Sequence, residues 1–543
     1  ICIARMQQFN KENEHLFCDE LGEIANKYRS NIQYFIYKSI ILRNLYGVDI
    51  MAEAIEIAKL RLFLKMVAVV DVNMKADNLG LDPLPDIDFN IKCGNTLVGY
   101  ATEKQLNDSI AFGDMFAKQE FQDKVCKELE IIAQTYSTFK TVQLDQMVNM
   151  EKFKKCKEAL RDRLKDLNEL LNQHLYGHKP DASYEDWLNR TMPFHWVSEF
   201  YEIMHNGGFD IIIGNPPYIN ISKINYIKKQ DNFRSADLYG YVIKRAIELL
   251  SYEGRHGFIV MHNLSFSNKF QDVRTILIQP NRSLWFSFYS RIPSGLFSGD
   301  VRVRNCIYLL ANNGSHLYTT TLHRWFTEQR DNLFTGLINY NIFKYKNVIP
   351  MLDNSVLQPL FENKVGDNIP LLEDRYNGGI LYYKKVGYNF LSISSIQPNA
   401  YLPNGKDASQ PELGELRINT KYYDFFQLLC CGKLYMSKWL TYGDDFHVTK
   451  KDIEDFCFPF GKINNSDVNK LHQLYSLLVS ELPNTQQFKL NAGINIGTFN
   501  TAKLWHITEK SDLIFLSYLC DNPNEIYQEI ENHIAKCVIT NKI

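Results

Sequence analysis

Gly207 and Gly208 on one side and Gly214 on the other bracket the run Phe209–Ile213, and Asn215-Pro216-Pro217-Tyr218 follows at once. A short, β-branched apolar run between glycines reads as a buried strand. Two consecutive prolines then stop the ladder, because each fixes its φ and lacks an N–H. The chain must therefore place a stiff loop at the carboxyl end of a strand, where ligands bind in open α/β sheets. The surrounding pattern agrees. Leu45–Ile50 is another short apolar run, carrying Asp49, and a helix follows with Ala54, Ile57, Ala58, Leu60 and Leu64 at helical spacing. After the bracketed strand, residues 237–250 form an amphipathic helix, "SYEG" a turn and "RHGFIVM" a strand. This β-α-β alternation predicts an α/β sheet.

One segment interrupts it. Residues 114–176 contain neither Gly nor Pro. Phe121, Val125, Leu129 and Ile132 make one apolar stripe, and Phe153, Cys156, Leu160, Leu164, Leu167 and Leu171 make another. These spacings predict two long amphipathic helices forming an antiparallel hairpin broken near Thr138. The hairpin reads as a structural arm; Lys152, Lys154, Lys155 and Lys157 allow a DNA-contacting arm instead. From about residue 331 the chain turns loop-rich, and a domain boundary is expected at 325–345.

Composition narrows the class. At 45% apolar and 22% charged residues the chain is globular, and 543 residues imply several domains. A net charge of −2 excludes a basic nucleic-acid coat. Residues 215–330, however, hold 15 Lys and Arg against 7 Asp and Glu, a local excess suited to a polyanion. No run approaches the length of a membrane span, and no secretory signal opens the chain. The 11 Cys are scattered without a CxxC pair. A reducing, cytoplasmic setting without disulfides or a metal site is expected.

The proline loop suits a particular chemistry. With two donors removed, what remains is acceptor-rich: the Asn215 side-chain oxygen and the Pro216 carbonyl, with the Tyr218 ring beside them. Such a site would accept both N–H bonds of an exocyclic amine on a flat heterocycle and stack on its face. Acceptors held out of the ring plane would localise the nitrogen lone pair for in-line attack on a methyl group, so positioning and dipoles would supply the catalysis.

"FDIIIGNPPY" resembles the N6-adenine-specific DNA methyltransferases that use S-adenosylmethionine. "LYGVDIMAEAIEIAKLRLFLKM", "DFNIKCGNTLVGY" and "PFHWVSEFYEIMHNGGFDIIIGNPPYI" are similar to the large restriction–modification, type IIG-like, members, in which methylase and target recognition share one polypeptide. The resemblance implies a Rossmann-like methyltransferase sheet, a helical insertion and a mixed α+β target-recognition domain. It divides the chain into residues 1–110 and 196–335 of the methyltransferase domain, the insertion 111–195, and the recognition domain 336–543. It also implies double-stranded DNA as partner.

Roles follow position by position from the resemblance. Asn215, Pro216, Pro217 and Tyr218 match the catalytic loop, and Asn215 also borders the cofactor. Asp49 matches the residue holding the cofactor ribose, with Ile50 beside it; alternatively Asp49 caps the helix that follows. Asn95 matches a contact to the cofactor adenine, or is a turn residue before Thr96. Phe297 matches the aromatic residue that sandwiches a flipped base with Tyr218, or is a core residue. Asp237-Leu238-Tyr239 matches a segment near the cofactor, or is a helix start. Arg291, Arg302 and Arg304 surround Phe297 and are candidate phosphate contacts. "YYDFFQLLCCGKLYMSKWLTYGDDFHVTKKDIEDFCFPF" and "KLNAGINIGTFNTAKLWHITEKSD" resemble parts of the recognition region, which would read base edges in the major groove.

Two elements of that family are not found. The Gly-rich cofactor loop should precede Asp49, yet the chain opens with Ile and "ICIARMQQFN" reads as mid-helix, so an N-terminal truncation is expected. No nuclease motif is visible, so any nuclease domain or subunit would lie outside this chain. Two other functions remain open: an Asn-Pro-Pro-Tyr methyltransferase acting on protein glutamine or RNA, and a non-catalytic DNA-binding specificity module.

Overall fold

The computed structural model describes Cys18, Leu21, Gly22 and residues 31–539, apart from 73, 76–78, 80–83, 111–114, 145–149, 178–182, 228–231, 298–302, 336–339, 346, 363–366, 369–376, 411 and 455. Arg302 and the stretch Ile1–Asn10 lie outside the described residues. The chain divides into two compact units: residues 1–210, 224–230 and 244–252 make the first, and 211–223, 231–243 and 253–543 the second.

In the first unit, α1 (Ile32–Arg43), β1 (Gly47–Asp49), α2 (Ala52–Val67) and β2 (Ile91–Cys93) follow in order. Strands β1 and β2 are parallel, with Asp49 level with Cys93. Helix α2 is apolar on two sides, and only one is used. Ile55 and Met66 are buried with Ala58 and Leu62 against α1, whereas Ile57, Leu60 and Leu64 are each more than half exposed. Of the residues read at helical spacing, Ala58 joins this cluster while Ile57, Leu60 and Leu64 do not, because the face carrying 55, 58, 62 and 66 is the one that meets Tyr34, Phe35 and Ile41.

The insertion is the expected antiparallel pair, α3 (Met115–Leu144) and α4 (Met150–Tyr176). Phe139 stacks on Phe153, and Phe121 on His174 at the other end. Its core holds Val125, Leu129, Ile132, Leu160, Leu164, Leu167 and Leu171. The break does not fall at Thr138. Thr135, Thr138 and Thr141 each donate a hydroxyl to the carbonyl four residues earlier, at 2.8, 2.9 and 2.9 Å, so the helix runs through them. Lys157 has an internal duty, pairing with Asp86 and Asp88. Burial pushes the Asp88 carboxyl up, but hydrogen bonds from Lys157 and Lys59 outweigh it and bring it down to about 2.

A six-stranded sheet runs in the order β3-β4-β6-β5-β7-β8, and most of its residues belong to the second unit. Its strands are β3 (Phe209–Gly214), β4 (Leu250–Met261), β5 (Ser283–Tyr289), β6 (Asn305–Ala311), β7 (Leu317–His323) and β8 (Asn341–Phe343). Helices α5 (Leu238–Leu249) and α6 (Gln271–Leu277) flank β4 in sequence. The sheet is mixed. β6 is antiparallel to both β4 and β5, while β5 and β7 are parallel. The β5–β6 connection contains no crossover helix among the described residues, and a direct return gives an antiparallel neighbour. Phe258, Tyr308 and Phe286 sit level across three strands and are buried.

The expected strand Phe209–Ile213 is present as β3, but it is not buried. It occupies the sheet edge, and Ile211 and Ile213 are 66% and 79% exposed. Its β-branched composition satisfies the pleat of a strand with or without a covering layer.

The rest of the second unit mixes helices with small sheets. β9 (Gly379–Lys384) and β10 (Leu413–Ile418) pair antiparallel, as do β11 (Gln486–Asn491) and β12 (Ile494–Phe499). Helices α7 (Tyr423–Cys431), α8 (Lys433–Tyr442), α9 (Asn465–Glu481), α10 (Trp505–Ser517) and α11 (Pro523–Cys537) complete it. Among the described residues no helix is long and apolar enough to cross a membrane.

Among the described residues, His195, His256, His262 and His533 are buried and should make the fold acid-sensitive. Burial pushes His195 and His256 down to about 3, and His262 and His533 down to about 4, from an ordinary 6.5. Their folded pKa values are depressed, so the stability they support is complete above pH 6.5. It is lost as pH falls toward 4, because only the unfolded chain takes up protons there. Each contributes up to about 1.4 kcal/mol per pH unit in that window. Urea midpoints should fall steeply from pH 7 to pH 5; a flat profile would show that these rings accept protons in the fold.

Candidate active site

In the first unit, the carboxyl ends of β1 and β2 bring together Asp49, Ile50, Cys93, Gly94 and Asn95. The Gly94 N–H donates to the Asp49 carbonyl at 2.9 Å. Asp49 and Ile50 are exposed. The Asp49 carboxylate accepts from the Met51 N–H at 2.8 Å, a local turn before α2, whose first turn receives no side-chain cap. Asn95 is buried; its Oδ1 accepts the Leu97 N–H at 3.1 Å, the expected turn contact. Its Nδ2 is buried and faces the Tyr226 hydroxyl. An exposed carboxylate and an amide donor at adjacent strand ends fit the hydroxyls and ring nitrogens of a nucleoside.

In the second unit, Gly214 lets β3 end against its neighbour: a Cβ there would meet the Phe258 ring at 2.9 Å. Asn215 is then exposed and Pro216 buried. The Tyr218 hydroxyl donates toward two acceptors, Asn215 Oδ1 at 3.0 Å and the Ile259 carbonyl at 3.1 Å. It accepts from Asn305 Nδ2 at 3.1 Å. Burial pushes the Tyr218 phenol well above its ordinary range, so it keeps its proton. The Tyr218 ring meets Tyr239 edge-on at 6.3 Å, and Tyr239 stacks on Phe270 at 5.0 Å. The Tyr239 hydroxyl donates to Asn263 Oδ1 at 2.6 Å. Beyond the loop, the Ile221 and Leu238 N–H groups bond the Ala236 and Ile219 carbonyls at 2.9 and 2.8 Å, returning the chain into α5 beside Asp237. Burial raises the Asp237 carboxyl, and a hydrogen bond with Asn263 opposes the shift.

Other candidates are placed differently. Phe297 is half-buried in a bend, beside Leu296, which packs against Tyr289 and Trp325. Arg291 and Arg304 lie on the Phe446 ring, at 4.7 and 5.1 Å from its centre. Arg304 is largely buried and faces Asp444 and Asp445 at 3.7 and 3.8 Å. Sequence reasoning missed Asn305 and Asn263. The signal was present in "VRVRNCIYLL" and "IVMHNL", where an Asn stands at the loop-side end of an apolar strand.

Residues 43–289 match the family model of the Eco57I restriction-modification methylase. The match makes these residues similar to an Eco57I restriction-modification methylase domain. The matched span runs from the approach to β1 to the end of β5, so it contains Asp49, Asn95 and the Asn215–Tyr218 loop, while Phe297 and Asn305 lie beyond it. A candidate type II restriction enzyme and methyltransferase of Methanocaldococcus jannaschii is 28% identical over 333 residues, covering 51% of this chain and 26% of its own. The chain thus spans about a quarter of that relative's length. Among solved structures, the type IIL restriction-modification enzyme MmeI in complex with DNA is similar at a TM-score of 0.39 and 11% identity, over 98% of this chain and 78% of its own. The M protein of the type I restriction enzyme EcoKI gives a TM-score of 0.19 at 13% identity, over 83% and 95%.

Proposed function

We propose that the chain is the methylase–recognition core of a restriction–modification protein, transferring a methyl group from S-adenosylmethionine to the N6 amine of an adenine flipped out of duplex DNA. The observation that carries this reading is the exposed Asn215 amide oxygen, presented at a strand's carboxyl end by a proline-stiffened loop. An adenine amine donates one N–H to Asn215 Oδ1 and the other to the Pro216 carbonyl, which draws its lone pair out of conjugation. Tyr218 stacks on the base, and Phe297 is the candidate for its other face. The proton leaves after transfer, so no strong base is required.

S-adenosylmethionine supplies an electrophilic methyl on a sulfonium. Asp49 would accept its ribose hydroxyls, and Asn95 Nδ2, with Ile50 alongside, would meet its adenine. The Rossmann-like description of the sheet belongs to this proposal. So does the assignment of 336–543 to target recognition. Arg291, and Arg302 with it, would neutralise DNA phosphates; Arg304, turned toward two aspartates, is the least available of the three. The cytoplasm is the natural compartment for such a protein.

The test is methyl transfer from labelled S-adenosylmethionine to unmethylated duplex DNA, with the natural full-length protein beside the 543-residue chain. Label recovered as N6-methyladenine is expected. Label in protein or RNA instead, or cofactor binding without transfer, would replace the reading with one of its alternatives. Exchanging residues 417–505 between relatives should change which site is methylated; an unchanged site would remove recognition from that region.

A further inference from the structure

We propose that Asn305 is a positioning residue for methyl transfer, acting through the Tyr218 hydroxyl, which it holds where its one proton can leave Asn215 for the Ile259 carbonyl. The inference rests on the reading above. Asn305 opens β6, is 1% exposed, and stands level with Met261 at the end of β4. Its Nδ2 is 3.1 Å from the Tyr218 oxygen and 3.4 Å from the Val260 carbonyl. The second contact fixes the amide's orientation: a carbonyl can only accept, so nitrogen, not oxygen, must face it. Asn305 therefore donates to Tyr218, and the phenol is left with a single proton to give.

That proton has two acceptors at nearly equal range, Asn215 Oδ1 at 3.0 Å and the Ile259 carbonyl at 3.1 Å. Without substrate, the proton can satisfy Asn215. When an amine N–H takes Asn215 Oδ1, the same proton turns to Ile259, and no donor or acceptor loses its partner. An unmet buried group would otherwise oppose substrate entry. Burial keeps the phenol protonated, so the exchange is a rotation of O–H and not an ionisation.

The test is a double-mutant cycle in the full-length protein with Asn305→Leu and Tyr218→Phe, read as kcat and KM for DNA methylation. Each single variant is expected to lower kcat roughly tenfold, about one hydrogen bond's worth, with KM little changed. The double variant should be no worse than Tyr218→Phe alone, because Asn305 acts only through the hydroxyl. Multiplying losses would overturn the proposal. If Asn305→Leu does not fold, Asn305→Asp keeps the shape. Ionised, it can only accept and takes the phenol's proton away; protonated, it donates again. Its kcat relative to wild type should rise as pH falls, and a constant ratio overturns the proposal. Tyrosine labelled with 13C at Cζ reads the contact without turnover: the Tyr218 signal should move in Asn305→Leu. A wild type that methylates no DNA removes this proposal together with the reading beneath it. An active wild type with an unmoved Tyr218 signal removes this proposal alone.

Discussion

Asn215→Ala is expected to lower methyl transfer by roughly a thousandfold, the scale of losing a preorganised polar contact to a reacting group. Folding and DNA affinity should stay near wild type. Asn215 is exposed, so truncation opens no cavity, and the Tyr218 hydroxyl retains the Ile259 carbonyl as acceptor. What disappears is the oxygen that would hold one N–H of the amine out of the ring plane. Single-turnover rates with saturating DNA isolate that step from binding. A loss confined to KM would mean that Asn215 merely binds the base. Retained activity would remove the loop from the chemistry.

Breaking the Arg324–Asp445 pair is expected to cost about 3 kcal/mol of stability, because each variant removes the direct partner of a buried charge, and Arg304 reaches Asp445 only at 3.8 Å. Both side chains are 1% exposed, and they form a direct ion pair. Ser290 Oγ donates to the same carboxylate at 2.6 Å, Arg324 also donates to Asn389 Oδ1 at 2.9 Å, and its guanidinium covers the Tyr388 ring at 3.9 Å. The pair ties the residue after β7 to the turn after α8. Asp445 has φ +65°, a left-handed conformation that Asn tolerates well. Asp445→Asn combined with Arg324→Met should therefore recover much of what either single change loses, with denaturant unfolding as the measure. Equal midpoints for wild type and single variants would show the pair to be solvated in solution.

The sequence by itself determined the local elements and the chemistry of the loop. Gly207, Gly208 and Gly214 bracket β3, and two prolines force the chain out of the ladder whatever surrounds it. The Gly- and Pro-free run from 114 to 176 could hardly avoid long helices, and its two stripes met as expected. These properties depend on neighbours within one or two turns of chain. Tertiary structure decided which faces those elements use and which side chains serve the site. Nothing local distinguishes the stripe of α2 that α1 covers from the one left in solvent. Nor does the sequence reveal that β3 sits at an edge, that Arg304 turns inward to Asp444 and Asp445, or that Asn305, 87 positions downstream, donates to Tyr218. Burial and hydrogen-bond partnership are properties of pairs, and a pair distant in sequence exists only once the sheet has set its strand order.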